Sequence, residues 1–294
     1  MNLKELLKPK RKISLFLVMT IPAFILFFIF HTFPALQGIY YSFTNWNGIK
    51  KSYEFTGFAN YLYLFKDSRI VTAYLFTFQF AIISTILVNA LSLFLAIVLH
   101  SNIKFKKFFR AIFFLPNVLS ILIVGFIFNY FFSNVLPDIG SSLNIDFLSK
   151  NILGTKEYAW IGVVFVAVWQ SAAFNTILYI AGLQTVPEDL YEAASMDGAN
   201  TWQKFRHITF PSIAPFFTIN MVLAMKGFLM VFDHVMAITG GGPGNTTKSI
   251  SVLIYQSGLA GGEFAYQSAN AVVYLIVIAT ISIIQIYFLQ KREV

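Results

Sequence analysis

Long apolar runs separated by short polar ones set the pattern of this chain. Residues 13–33, 71–99, 108–132, 158–182, 213–238 and 266–290 are each apolar over about the 20 residues that a helix needs to cross roughly 30 Å of hydrocarbon. The first run is too long, and too free of a small-residue cleavage site, for a simple signal peptide, so it reads as a retained span. The pattern predicts an all-α polytopic membrane protein of six helices: a membrane domain over 13–290, flanked by short tails at 1–12 and 291–294. Two loops between spans stand out on one side. Residues 34–70 are long and aromatic, with a short helix expected near 58–66, and 133–157 carries turn residues at Pro137-Asp138 and Gly140.

Composition agrees and charge gives direction. Only 12% of the 294 residues are charged, about half the share usual in a soluble domain. Six spans put both termini on one side. Of the 21 Lys and Arg, seven then fall in the opposite loops and Lys226 within a span, leaving thirteen on the side of the termini, so those face the cytoplasm. The net charge of +8 is therefore topology and headgroup attraction, not nucleic-acid recognition. There are no cysteines, and four scattered histidines lack HExxH spacing, so no metal site is expected. Paired carboxylates and a nucleophile–base set are also missing, which leaves no catalytic residues to assign.

The polar segment 184–211 separates the fourth and fifth spans on the cytoplasmic side. Pro187 suits the first turn of a helix, and Glu188, Asp189 and Glu192 place negative charge where the helix dipole favours it. Gly198 suits the residue after that helix, where a left-handed backbone is needed. A second short helix is expected over 199–208, and Pro211 leads into the fifth span. Glu192, Ala193, Ala194, Gly198, Ile208 and Pro211 resemble the EAA signature of the permease subunits of bacterial ABC importers. The resemblance implies a type I importer permease fold whose coupling helix, here Glu192, Ala193, Ala194, Ser195, Asp197 and Gly198, docks on a separate ATPase.

Between the last two spans lies Thr239-Gly240-Gly241-Gly242-Pro243-Gly244-Asn245-Thr246-Thr247. It is no P-loop: GxxxxGK[ST] would need glycine at 247, and a strand should precede it. With Phe232-Asp233 ahead of it, the run resembles the VFD…TGGGPGNTT segment of carbohydrate permeases of the maltose and glycerol-phosphate type. Phe55-Thr56-Gly57-Phe58-Ala59-Asn60-Tyr61 and Phe114-Leu115-Pro116 extend that likeness along nearly the whole chain. The large extracytoplasmic insertion of the maltose permease is missing. The resemblance implies a multi-pass subunit of the bacterial cytoplasmic membrane, both termini inside, importing a sugar or oligosaccharide. Its implied partners are a second, distinct permease, two ATPase subunits that bind the ATP and Mg, and an extracytoplasmic solute-binding protein. Gly240, Gly241, Gly242, Pro243 and Gly244 become the outward turn that such a protein meets.

Within the spans, Lys226 and Asp233 are seven residues apart, so one continuous helix would set them on nearly one face. A charge inside a span needs protein, water or substrate as its partner. Lys226 is accordingly a candidate for favouring an anionic sugar, or for a contact with the second permease. Asn129, Gln170, Asn175 and Asn220 are candidates for sugar hydroxyls, with helix–helix hydrogen bonds as the alternative for each. An ion-coupled secondary transporter is the competing class. It would usually show inverted repeats and midplane acids, and neither is evident.

Overall fold

A computed structural model describes residues 9–101 and 103–291, with side chains from Leu17 onward. The outermost basic residues Lys4, Lys8 and Arg292 lie outside the described residues. Among the described residues there are helices and one isolated bridge, Thr44 to Phe55. In order the helices are α1 (Pro9–Phe27), α2 (Phe33–Tyr41), α3 (Ala59–Leu64), α4 (Ser68–His100), α5 (Lys106–Val118), α6 (Ile121–Tyr130), α7 (Leu136–Ser142) and α8 (Ala159–Leu183). They continue as α9 (Glu188–Met196), α10 (Thr201–Lys204), α11 (Phe210–Ser212), α12 (Ala214–Leu229), α13 (Asp233–Ile238), α14 (Ile250–Tyr255) and α15 (Phe264–Gln290). Single π turns join α1 to α2, α6 to α7 and α10 to α11 without ending the helical run.

Five of these runs are long and apolar enough to span a membrane: Leu17–Tyr41, Ser68–His100, Ile121–Ser142, Ala159–Leu183 and Phe264–Gln290. A sixth is bent by 68° between Thr201–Ser212 and Ala214–Leu229. The six-span reading holds, with two interruptions that hydropathy does not register. The third run, expected over 108–132, breaks after Val118, and Ser120 is extended. The fifth, expected over 213–238, stops at Leu229 and resumes at Asp233. Lys226 and Asp233 therefore do not share one helix, and their expected common face is lost.

The chain divides into two units. The first takes the chain up to Lys66 together with Gln256–Val273. Its loops are pinned by short polar bonds: the Asn60 amide donates to the carbonyls of Ser42 and Thr44, both at 2.8 Å, and Ser42 and Tyr61 share a 2.7 Å hydroxyl contact. Trp46 stands edge-on to Phe264 with ring centres 5.1 Å apart. Thus the motif 55–61 packs α3 against the end of α2, and its helix starts at Ala59, within the expected range.

The second unit, Asp67–Tyr255 with Tyr274 onward, is built on α4 and α8. Both present small residues to one another: Ala81, Ser84, Val88, Ser92 and Ala96 on α4, and Val163, Val166 and Ala167 on α8, all buried. Lipid chains are as apolar as leucine, so close backbone approach and interhelical hydrogen bonds drive such packing. Tyr179 donates to Asn89 at 2.7 Å, and Ser92 to the Ala172 carbonyl at 3.2 Å. On the far side of α4, Leu75, Ile82, Ile86 and Phe94 are exposed, as a lipid face requires. α6 and α13 meet most closely at Gly125, where an added Cβ would lie 2.2 Å from that of Ala237. Gly125→Val is expected to cost about 1–3 kcal/mol by overpacking, read as a lower unfolding temperature in detergent. An unchanged transition would show that α13 moves aside freely.

Candidate functional site

The two helix breaks lie at one place, and side chains close both. Breaking a helix in a membrane strands backbone carbonyls where no water reaches them, so neighbours must supply donors. Gln170 on α8 donates its amide to the carbonyls of Pro116 at 3.2 Å, in the last turn of α5, and of Leu119 at 3.0 Å, in the first break itself. At the second break Tyr274 donates to the Leu229 carbonyl, and Ser249 to that of Val231 at 2.7 Å. Asn129 on α6 caps the end of α13 through the Ile238 carbonyl at 2.6 Å. The Gln170 amide oxygen also meets His234 Nε2 at 3.1 Å. With both amide protons committed to carbonyls, that oxygen only accepts, so His234 carries its proton on Nε2. One glutamine thus joins the two breaks.

Beside them opens a cleft of about 460 Å³. Phe174, Phe228 and Phe232 give it apolar walls; Asn117, Ser171, Asn175, Asp233 and His234 give it polar groups. Asn175 donates to the Ser171 carbonyl at 2.9 Å, which leaves its oxygen buried and unpartnered among the described residues. Asp233 is exposed at the first turn of α13. Aromatic faces and a few fixed polar groups are the usual make-up of a small-molecule site, and broken helices with unwound backbone commonly line transporter sites.

Of the six pathway candidates, Asn175 and Asp233 line this cleft, and Gln170 and Asn129 hold its frame. Asn220 is fully buried in α12, with neither amide atom hydrogen-bonded among the described residues. Lys226 is exposed on α12 and is not itself among the lining residues, although its neighbours Leu223 and Gly227 are. The sequence reading passed over Asn117, Ser171, Ser249 and Tyr274. A lone polar residue in an apolar run was their signal, too common to rank without the breaks.

Between α8 and the bent fifth span, α9 and α10 form a tight hairpin. Pro187 caps α9, with Glu188 and Asp189 in the first turn. Past α9, Gly198 takes φ +78°, its N–H bonds the Ser195 carbonyl at 3.1 Å, and the Ala199 N–H bonds that of Ala194 at 2.9 Å. These two bonds make a Schellman turn, which needs a residue at ease in left-handed backbone. Asn200 then caps α10 with a reciprocal box to Gln203. Lys204 donates to Ser195 at 2.7 Å, and Tyr191 meets Thr209 at 2.9 Å. The two helices are fixed to each other while the tip stays uncovered: Met196 is 89% and Trp202 64% exposed. Glu192, Ala193 and Asp197 are exposed beside them.

The glycine run also folds as expected, as a closed turn. Gly240, Gly241 and Gly244 all take positive φ, which side chains resist. Thr247 donates to the Gly242 carbonyl at 2.5 Å and meets the Thr239 hydroxyl at 2.8 Å, knotting the loop beside the second break.

The comparisons agree with this architecture. A probable starch-degradation-products transport permease, AmyD of Thermoanaerobacterium thermosulfurigenes, is 40% identical over 261 residues, covering 89% of each chain. The multiple sugar-binding transport permease MsmF of Streptococcus mutans is 39% identical, over 90% of this chain and 92% of its own. In structure, a chain of the bacterial ABC transporter that imports the acidic polysaccharide alginate superposes with a TM-score of 0.83 over 98% of both chains; at 24% identity, that likeness establishes the fold. Residues 89–293 match the family described as the binding-protein-dependent transport system inner membrane component. With broken spans, a closed glycine turn and an exposed hairpin between the fourth and fifth spans in place, this chain is a multi-pass permease belonging to that family.

Proposed function

We propose that the chain forms half of the pathway of an ATP-driven importer for a sugar or oligosaccharide in a bacterial cytoplasmic membrane, with both termini inside. The observation that carries this reading is the hairpin: a rigid tip whose apolar Met196 and Trp202 are left exposed by the described residues, in a permease whose relatives are named for starch products and multiple sugars. Met196 and Trp202 form the surface for a separate ATPase, which holds ATP and Mg. A second, distinct permease completes the pathway, and a solute-binding protein delivers cargo on the side of the glycine turn. ATP binding would close the ATPases, push on the segment from Ala193 to Gly198, and open the cavity outward. Coupling is reciprocal, so loaded binding protein must raise ATPase activity.

For the cargo, the cleft offers an acceptor at Asn175, aromatic faces at Phe174 and Phe232, and the carboxylate of Asp233. Lys226 stands outside the lining, so this half suits a neutral sugar and leaves Lys226 for the second permease. Lys226→Gln is expected to leave uptake of a neutral oligosaccharide within about twofold, as befits an exposed surface change, while weakening co-purification of the second permease. A mutant that assembles normally but fails only with a charged sugar would instead restore the anionic reading.

The test of the whole is mild purification from the native membrane. An ATPase, a second six-span chain and a binding protein should remain bound, and uptake should stop on ATP depletion. A chain that comes away alone and transports on an ion gradient would place it among secondary transporters.

A further inference from the structure

A second groove, also about 460 Å³, lies between α5 and α8 at the end of the unit that holds the α4–α5 turn. Its walls are apolar, chiefly Phe113, Phe114, Ile177 and Ile180, and its polar end is Arg110 with Gln184. From Ala173 to Gln184 the lining follows α8 for eleven residues, about 16 Å at 1.5 Å per residue. That is close to half of the roughly 30 Å hydrocarbon layer. The groove thus has the length of one acyl chain in one leaflet, and it is capped by a cation.

No acid of its own stretch offsets the charge at its mouth. Lys104, Lys106, Lys107 and Arg110 follow one another within seven residues, and no Asp or Glu occurs from residue 101 to 137. Two of these cations finish α4: Lys106 donates to the His100 carbonyl at 2.5 Å, and Arg110 to the Leu99 carbonyl at 3.2 Å. A carbonyl satisfies a donor without cancelling its charge. Arg110 Nε is moreover buried and lacks a partner among the described residues. A guanidinium suits bidentate contact with a phosphate, and basic pockets between spans on the cytoplasmic side take anionic headgroups.

We infer that this groove binds an anionic phospholipid, its phosphate on Arg110 and Gln184 and one acyl chain along Phe113, Phe114 and Ile177. The inference rests on the chain spanning a membrane with the α4–α5 turn on the cytoplasmic side, as proposed above, and not on its cargo. A protein occupant would have to bring an acid to this depth, whereas the inner leaflet supplies one at no cost in desolvating a side chain.

The purified transporter, with the subunits it retains, is placed in nanodiscs of phosphatidylglycerol mixed with phosphatidylcholine, and lipids surviving extraction are counted by native mass spectrometry. The wild type should retain phosphatidylglycerol in preference to phosphatidylcholine. Arg110→Gln keeps a donor for Leu99 and should reduce that retention about fivefold, the worth of one basic residue at an anionic surface. Ala181→Trp, which fills the groove at an exposed position, should exclude the lipid with Arg110 intact, and it stands in if the first variant folds poorly. Equal retention in wild type and both variants, or no preference between the lipids, would overturn the inference. So would Ala181→Cys, the chain's single cysteine, crosslinking to the second permease. ATPase co-purification is scored on the same samples, so failure here is separable from failure of the importer reading.

Discussion

Gln170→Leu is expected to destabilise the solubilised chain by about 2–4 kcal/mol and to lower uptake with it. Single side-chain hydrogen bonds in membrane bundles average only about 0.6 kcal/mol, because alternatives exist in the loosened state. Here one side chain serves three partners. Its loss leaves the Pro116 and Leu119 carbonyls without donors in a region where water is scarce, and takes the acceptor from His234. Gln170→Glu should be at least as harmful despite its matching shape, since a carboxylate would turn an oxygen towards two carbonyl oxygens. Gln170→Met controls for volume and should resemble leucine. Thermal unfolding and limited proteolysis near 116–121 read the effect; stability within 0.5 kcal/mol of wild type for leucine, small against the ~1–3 kcal/mol of an unsatisfied buried group, would show that another donor closes the break.

Much of this architecture was legible in the sequence because the membrane makes its demands locally. Twenty apolar residues, a cluster of lysines at 104–107 and a polar interval at 184–211 each carry their meaning without knowledge of the rest. Gly198 could be placed after a helix because left-handed backbone selects it, and the structure gives it φ +78°. The breaks were not legible. Hydropathy measures the cost of taking side chains out of water and ignores whether the backbone is hydrogen-bonded, so 108–132 and 213–238 read as unbroken. Pro116 gave a hint, but Ser120 and Met230 did not. What allows the breaks is remote in sequence: Gln170 lies 51 residues from Leu119 and Tyr274 lies 45 from Leu229. The cleft depends on both, which is why Asn117 and Ser171 were not among the candidates and why Lys226 and Asp233 do not share the face that one continuous helix would give them.

Met196→Glu should abolish most transport while leaving the chain folded and inserted. Met196 is 89% exposed and touches nothing that the hairpin needs, so its replacement within α9 costs little stability; glutamate is as good a helix former as methionine. If the tip is the docking surface, a charge there is desolvated against the ATPase without a partner. An interface anchor of this kind is worth about 2 kcal/mol, or roughly a 30-fold loss of affinity, and uptake should fall accordingly. Gly198→Val reaches the same end by another route. A branched side chain in left-handed backbone costs about 1–2 kcal/mol, which loosens the turn and the Lys204–Ser195 bond across the hairpin, and should uncouple transport even where the ATPase still binds. The pair separates contact from rigidity: Met196→Glu should lose co-purified ATPase, whereas Gly198→Val should keep ATPase and lose its stimulation by loaded binding protein. Normal uptake in Met196→Glu would remove the hairpin tip from the coupling surface, and the push would then have to enter through the longer helix of the segment, from Thr201 into the 68° bend that leads to α12.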